Sequence, residues 1–175
     1  MNVLALVFLG IAALSSAALG SRRIPLWIAP ITAAVSLSAA AMCAAYGDPI
    51  TGFGIAATAV VAVTAAAFGG ASMAPAAFRL ARRQPAGSTP PTGTPVASGP
   101  LRGGLLIGVL ERAAVAASII AAKGPEGIAI VMAVKGLARY PELREPTASE
   151  QFIIGTFTSV LWAVAAGAVG RGMLS

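Results

Sequence analysis

The chain has 175 residues, of which 57% are hydrophobic and only 10% are charged, and this composition excludes an ordinary soluble globular domain. A net charge of +6 would suggest nucleic-acid binding in a soluble protein, but here most arginines lie at the ends of apolar segments, as topology signals do. The sequence has no histidine and a single cysteine, Cys43, so it predicts neither an intramolecular disulfide nor a metal site, and it suggests no cofactor.

The first half of the chain contains three apolar segments without internal charges, and we predict that residues 1–20, 26–46 and 50–77 form membrane-spanning helices. Arg22 and Arg23 follow the first segment, and no Lys or Arg precedes it, which favours a retained helix with its N-terminus outside. A cleaved signal peptide is the alternative, because the run also fits a signal h-region. The third segment is too long for an untilted crossing, and Gly69 and Gly70 are candidate bends or close-packing points.

A linker separates the two halves of the chain. Residues 84–100 contain five prolines, and Val96 is their one large apolar residue, which is typical of an extended segment. We therefore predict an N-terminal three-span scaffold at residues 1–83, a cytoplasmic linker at 84–100 and a C-terminal three-span bundle at 101–175.

The second half is predicted to form three further helices, at residues 101–122, 127–140 and 151–170. The middle one is short, ~21 Å at 1.5 Å per residue, and Thr147 with Glu150 forms a capping-box pattern that we expect to start the last one. With the N-terminus outside, nine of the twelve basic residues fall on the cytoplasmic side, in agreement with the positive-inside rule. The fold class we expect is an all-α, polytopic transmembrane bundle of about six spans, in a bacterial cytoplasmic membrane with both termini outside.

Charged residues inside the apolar segments are the main functional signal of the sequence. Glu111 and Arg112 fall near the middle of the fourth segment, where a charge needs a partner. Neighbouring helix positions diverge by ~100°, so we expect Glu111 to face Lys135 or Arg139. Arg112 would face a carboxylate of the later segments, bind a lipid phosphate or snorkel toward the membrane surface. The carboxylates considered for Arg112 are Glu150 and Glu142. The predicted polar cluster consists of Glu111, Arg112, Lys135, Arg139, Glu142, Glu150, Thr156 and Ser159.

Small residues recur at helical spacing on the fourth and sixth segments. Gly104 and Gly108 form a GxxxG element that would let another helix approach closely, and Gly167 and Gly170 belong to a second stripe of this kind. We therefore predict these four glycines to be helix-packing positions.

Three linked motifs carry a resemblance to a known group of proteins. The chain reads GLLIGVLER at 104–112, AVKGLARYPEL at 133–143 and EQFIIGTFTS at 150–159. In this order they resemble a family of uncharacterised bacterial integral-membrane proteins with G-x-L-E-R, K-x-x-A-R-x-x-E-L and I-G-T-x-x-S motifs. The chain departs from the pattern at Gly136 and Gln151, and every charge is in place. The resemblance implies that the charged residues form one unit, and it implies no activity.

Two functions are compatible with this pattern. In the first, the protein is a small transporter or a lipid- or ion-binding protein, in which Glu111 titrates or faces a cation and Arg112, Lys135 and Arg139 balance it or bind an anionic lipid head group. In the second, the cluster is structural, and the protein is a non-catalytic accessory subunit that packs against a partner membrane protein or a second copy of itself. We expect no enzymatic activity, because no nucleophile–base pair or paired aspartates appear. A cavity reaching Glu111 would favour the first function, and a fully paired, dry cluster the second.

Overall fold

A computed structural model describes residues 1–16, 27–81, 104–121 and 124–175, and in these ranges the chain is helical and contains no β-strand. The all-α prediction is therefore confirmed. The predicted linker at 84–100 lies outside the described residues. The helices are α1 (Asn2–Leu14), α2 (Ile28–Ala45), α3 (Phe53–Thr64), α4 (Met73–Ala81), α5 (Gly104–Ile120), α6 (Gly124–Ala138) and α7 (Pro146–Gly172).

The third helical run is interrupted by irregular turns. A π-helix, Ala65–Gly69, and a 3₁₀ turn, Gly70–Ser72, join α3 to α4 without leaving the helical path. The resulting run, Phe53–Ala81, is one of three in the described ranges that are long and apolar enough to cross a membrane; the others are Ile28–Ala45 and Ser149–Gly172. The described parts of α1, α5 and α6 are shorter, with 13, 17 and 15 residues.

The helices pack through small residues and expose large ones. Most of the buried hydrophobic residues are alanines, whereas Leu105, Leu137 and Leu161 are 66–75% exposed, with many other aliphatic side chains on the outer surface. Small side chains let helix backbones approach closely in lipid, where burying larger apolar groups gives no advantage over contact with lipid tails. This distribution favours a bilayer around the bundle.

Both described ends of the chain lie at the same end of the bundle. The Asn2 side-chain amide donates to the Asp48 carbonyl at 2.8 Å, and the Ile50 N–H donates to the Met173 carbonyl at 2.9 Å. The chain start, the α2–α3 connection and the C-terminal turn therefore meet at this end.

The last helix starts five residues earlier than predicted. Pro146 occupies its first turn, and the residue before it, Glu145, is extended at φ −85° and ψ 123°. Proline has a fixed φ suited to the first helical turn and disfavours a helical residue before it. The predicted start at a Thr147 capping box is therefore wrong, because Thr147 already lies inside α7.

Candidate functional site

Arg112 connects three helical runs in the centre of the bundle. Its side chain is buried, with 7% of its surface exposed. Its Nε donates to the Ala67 carbonyl of the π-helix at 2.8 Å, and its Nη1 donates to Ser159 Oγ of α7 at 3.3 Å. Two of its five N–H groups are thereby used; the bond to Ala67 joins the C-terminal bundle to the N-terminal half of the chain, and the bond to Ser159 joins α5 to α7.

The expected pairing of Arg112 with Glu150 is wrong. Glu150 is exposed near the start of α7, and the acceptors that Arg112 meets are a backbone carbonyl and a hydroxyl group. For the other expected partner, Glu142, the side chain lies outside the described part of the structure. The partners of Arg112 are therefore neutral polar groups, the Ala67 carbonyl and the Ser159 hydroxyl. A search of the sequence for oppositely charged residues cannot identify such partners.

The π-helix supplies carbonyl acceptors to two side chains. Trp162 of α7 donates its indole Nε1–H to the Ala65 carbonyl at 3.2 Å, next to the bond from Arg112 to Ala67. A π-turn widens the helix and disturbs the regular i→i−4 bonding, so outside donors can reach its carbonyl groups. Arg112 and Trp162 thus stabilise this irregular turn in the interior.

Two glycines at the end of the π-helix make room for these side chains. A Cβ atom on Gly70 would lie 2.6 Å from Arg112 Cδ and 2.6 Å from Trp162 Cδ1. On Gly69 it would lie 2.7 Å from the Ala12 carbonyl oxygen. Both distances are well inside normal contact, so only glycine fits here, and the expectation of close packing at Gly69 and Gly70 is confirmed.

Glu111 forms an ion pair with α6. Lys135 Nζ donates to Glu111 Oε2, and the two side chains are 21% and 19% exposed. Lys135 was one of the two partners expected for Glu111. The other, Arg139, follows the end of α6, and its backbone N–H donates to the Lys135 carbonyl at 3.2 Å. The Glu111–Lys135 pair therefore ties α6 to α5 at a position that is only partly shielded.

A narrow crevice lies beside this ion pair, between α5, α6 and α7. The crevice has room for about one water molecule and opens to the surface on one side. Half of its lining is apolar and half is polar or charged. The lining residues are Val115, Val131, Met132, Val160, Glu111, Arg112, Lys135 and Ser159.

The remaining predicted residues divide into packing positions and surface positions. A Cβ on Gly167 would lie 3.1 Å from the Ala116 backbone, and one on Gly170 would lie 2.5 Å from Ala62 Cβ, so both glycines permit close packing of α7. Thr156 is buried one turn before Ser159.

The GxxxG element of α5 does not pack as a unit within the described chain. A Cβ on Gly104 would meet nothing within 4 Å, and one on Gly108 would meet only the guanidinium of Arg112, at 3.2 Å from Nη1. Within the described chain, Gly104 is therefore a surface position, and Gly108 provides space for Arg112.

The site contains no recognisable metal centre in the part of the chain that the structure describes, where no three His, Cys, Asp or Glu side chains converge. Among the described side chains that line the crevice, the charged groups are one carboxylate and two cations, Glu111, Lys135 and Arg112, with a net charge of +1. No family model, curated protein or solved structure matches the chain, so the family resemblance stays a prediction.

Proposed function

We propose that this chain is a six-span membrane protein whose α5–α6–α7 crevice binds an anionic group. The protein would then be a lipid-binding protein or a small transporter. The observation that carries the proposal is the crevice itself, which brings Lys135 and Arg112 to one opening with a single carboxylate, Glu111. A fully paired and enclosed cluster would have favoured a purely structural role. Here Lys135 and Glu111 each remain about one-fifth exposed and line the crevice, so the cluster is not fully enclosed.

Charge balance favours an anion as the bound group. Inside a bilayer a net charge of +1 is costly, and a charged group at that depth needs a partner or a polar cavity. One added negative charge would make the set of Glu111, Lys135 and Arg112 neutral. The Lys135 ammonium has three donors and the Arg112 guanidinium has five, so both can bind a further acceptor while keeping their present bonds.

The proposed topology has both termini outside and the α6–α7 connection inside. The meeting of both chain ends at one end of the bundle supports an even number of crossings. We would replace Cys43 with serine, introduce single cysteines at Ser175 and at Arg144, and label intact cells with a membrane-impermeant maleimide. Labelling at 175 and protection at 144 are expected, and the reverse pattern would contradict this orientation.

Anion binding is tested by native mass spectrometry of the protein in a neutral maltoside detergent. Inorganic phosphate and dioleoyl phosphatidylglycerol would be added in separate titrations, to wild type and to Lys135→Gln. We expect at least one of the two probes to bind, and Lys135→Gln to weaken it by roughly tenfold or more, since a hydrogen bond to a charged group is worth ~1.5–3 kcal/mol.

The matched control is Arg144→Gln, which removes one positive charge outside the crevice. Arg144 is exposed and lies over the ring of Tyr140, at 5.6 Å from its centroid. Its loss should leave binding within about twofold of wild type if the crevice is the site, as for an exposed charge of small effect. Equal losses in both variants, or no binding of either probe, would contradict the proposal.

Glu111→Gln separates an anion site from a site for a cation or proton. In an anion site Glu111 competes for Lys135, so its neutralisation should strengthen anion binding. A loss of transport or binding in Glu111→Gln, with normal insertion and folding, would instead favour the titrating role for Glu111 that the sequence suggested.

A second candidate function is that of an accessory subunit. It is favoured by the outer face of α5, where Gly104 lies beside the exposed side chains of Leu105 and Leu106. On this account Gly104→Leu dissociates a complex that survives gentle detergent extraction, as seen by size-exclusion chromatography with light scattering. If the extracted wild-type protein is a monomer and Gly104→Leu leaves its elution unchanged, the accessory-subunit function is contradicted.

A further inference from the structure

The apolar half of the crevice bears on the kind of anion that it binds. Val131 and Met132 of α6, Val160 of α7 and the buried Val115 of α5 line it. A site for a small hydrated anion would be expected to surround it with polar groups. Here the polar groups of Lys135, Arg112 and Ser159 lie beside apolar side chains of α6 and α7, which matches an amphiphile with a charged head and a hydrocarbon tail.

The opening also faces the surroundings of the bundle. α6 packs against α5 rather than against α7, and its described side chains are all at least partly exposed. Large apolar side chains on the same two helices are exposed, with Ile130 and Val134 on α6 and Phe157 and Leu161 on α7, so both helices present apolar surface to the bilayer. A hydrocarbon chain in the bilayer could therefore enter from the side without crossing a polar surface.

α6 packs along α5, and it reaches the core of the bundle through the partly buried side chains of Ile128 and Val131. Near its start, a Cβ on Gly127 would lie 2.2 Å from Ser118 Oγ, so the backbone there approaches α5 closely. Farther along, the Glu111–Lys135 ion pair holds it. Because few of its contacts are buried, displacing the rest of α6 by a small amount costs little, and the narrow crevice can widen between α6 and α7.

We propose that the crevice is a lateral binding site for one anionic phospholipid, with its phosphate at Lys135 and Arg112 and one acyl chain between α6 and α7. This inference rests on the proposed anion site and names its ligand class. The phosphodiester supplies the single negative charge that neutralises the three charged side chains. The acyl chain fills the apolar space bordered by Val131, Met132 and Val160.

The test compares the two probes already named, in the full-length protein. Dioleoyl phosphatidylglycerol should form a one-to-one adduct in native mass spectra, and excess inorganic phosphate should not displace it. Val160→Trp places a large side chain in the apolar part of the crevice without changing a charge. We expect roughly tenfold weaker lipid binding, because overpacking of this size has a measurable free-energy cost. The control is Leu161→Trp, at the neighbouring exposed position, which should bind as wild type does.

The outcomes separate this inference from the proposal beneath it. If phosphate binds, displaces the lipid and depends on Lys135, while Val160→Trp has no effect, the anion site stands and the lipid site is refuted. If neither probe binds, both fail. Because Val160→Trp could disturb folding, its helicity and thermal transition would be compared with those of Leu161→Trp. Met132→Trp tests the same space from α6, with Val134→Trp as its exposed control. We expect Met132→Trp to weaken lipid binding as much as Val160→Trp does.

Discussion

Gly70→Ala adds one methyl group at the point where Arg112 and Trp162 meet the end of the π-helix. The backbone of Gly70 is in the right-handed helical region, at φ −72° and ψ −9°, so alanine introduces no backbone strain. The whole effect therefore comes from the new Cβ atom, which would lie 2.6 Å from Arg112 Cδ and from Trp162 Cδ1.

The expected loss of stability follows from those distances. Carbon atoms in contact sit about 3.5–4.0 Å apart, so one or both side chains must shift by roughly 1 Å. Overpacking of this kind costs about 1–3 kcal/mol, and weakening the bond from Arg112 Nε to the Ala67 carbonyl costs up to about 1.5–3 kcal/mol more. Alanine returns at most about 1 kcal/mol through its higher helix propensity. We expect Gly70→Ala to lower the free energy of unfolding by about 2–4 kcal/mol.

The assay is reversible denaturant unfolding in mixed micelles, followed by tryptophan fluorescence. Gly136→Ala is the matched control, because a Cβ at Gly136 of α6 would meet nothing within 4 Å. It should be neutral or stabilising by up to about 1 kcal/mol. If Gly70→Ala and Gly136→Ala had equal stabilities, the packing of Arg112 and Trp162 on the π-helix would be refuted.

Three further experiments probe helix contacts of the bundle. Trp162→Phe removes the indole donor to the π-helix and should lower the free energy of unfolding by about 1–2 kcal/mol, and an unchanged value would contradict that bond. A double-mutant cycle of Glu111→Gln and Lys135→Gln should give a coupling of about 0.5–2 kcal/mol, because the pair is partly shielded, and zero coupling would argue against it. Gly170→Ala should destabilise by about 1–3 kcal/mol through its contact with α3, whereas Gly172→Ala, with open space around it, should not.

The helices could be predicted from the sequence because long apolar runs are separated by helix-breaking glycine and proline residues. The Gly47-Asp48-Pro49 turn and the proline at 146 each mark a boundary, and the structure ends or begins helices close to them. Competing signals caused the error at α7. The Thr147 and Glu150 pattern suggested a start, but proline at the first helical position fixes the backbone one residue earlier.

The Glu111–Lys135 pair could be anticipated because both residues are charges inside apolar segments and each needs a partner. Arg112 could not be placed in the same way. Its acceptor, the Ala67 carbonyl, lies in a run of three alanines whose side chains carry no sign of a π-turn. Only the neighbouring Gly69 and Gly70 indicated that another helix or side chain packs closely against the backbone there. Consequently the N-terminal half, predicted to be a scaffold, also supplies a direct contact to the charged cluster.

The central claim is that an anionic phosphate sits against Lys135, and a distance measurement tests it most directly. The chain has two lysines, so Lys123→Arg leaves Lys135 as the single lysine ammonium. The ¹⁵N-lysine-labelled protein would be placed in galactolipid bilayers, which contain no phosphorus, with dioleoyl phosphatidylglycerol added. Phosphorus–nitrogen dipolar recoupling should then detect the lipid phosphorus within about 4 Å of Lys135 Nζ, as a charge-assisted hydrogen bond requires. If the Lys135 ¹⁵N signal showed no dipolar coupling to phosphorus, the proposed contact between the lipid phosphate and Lys135 would be contradicted.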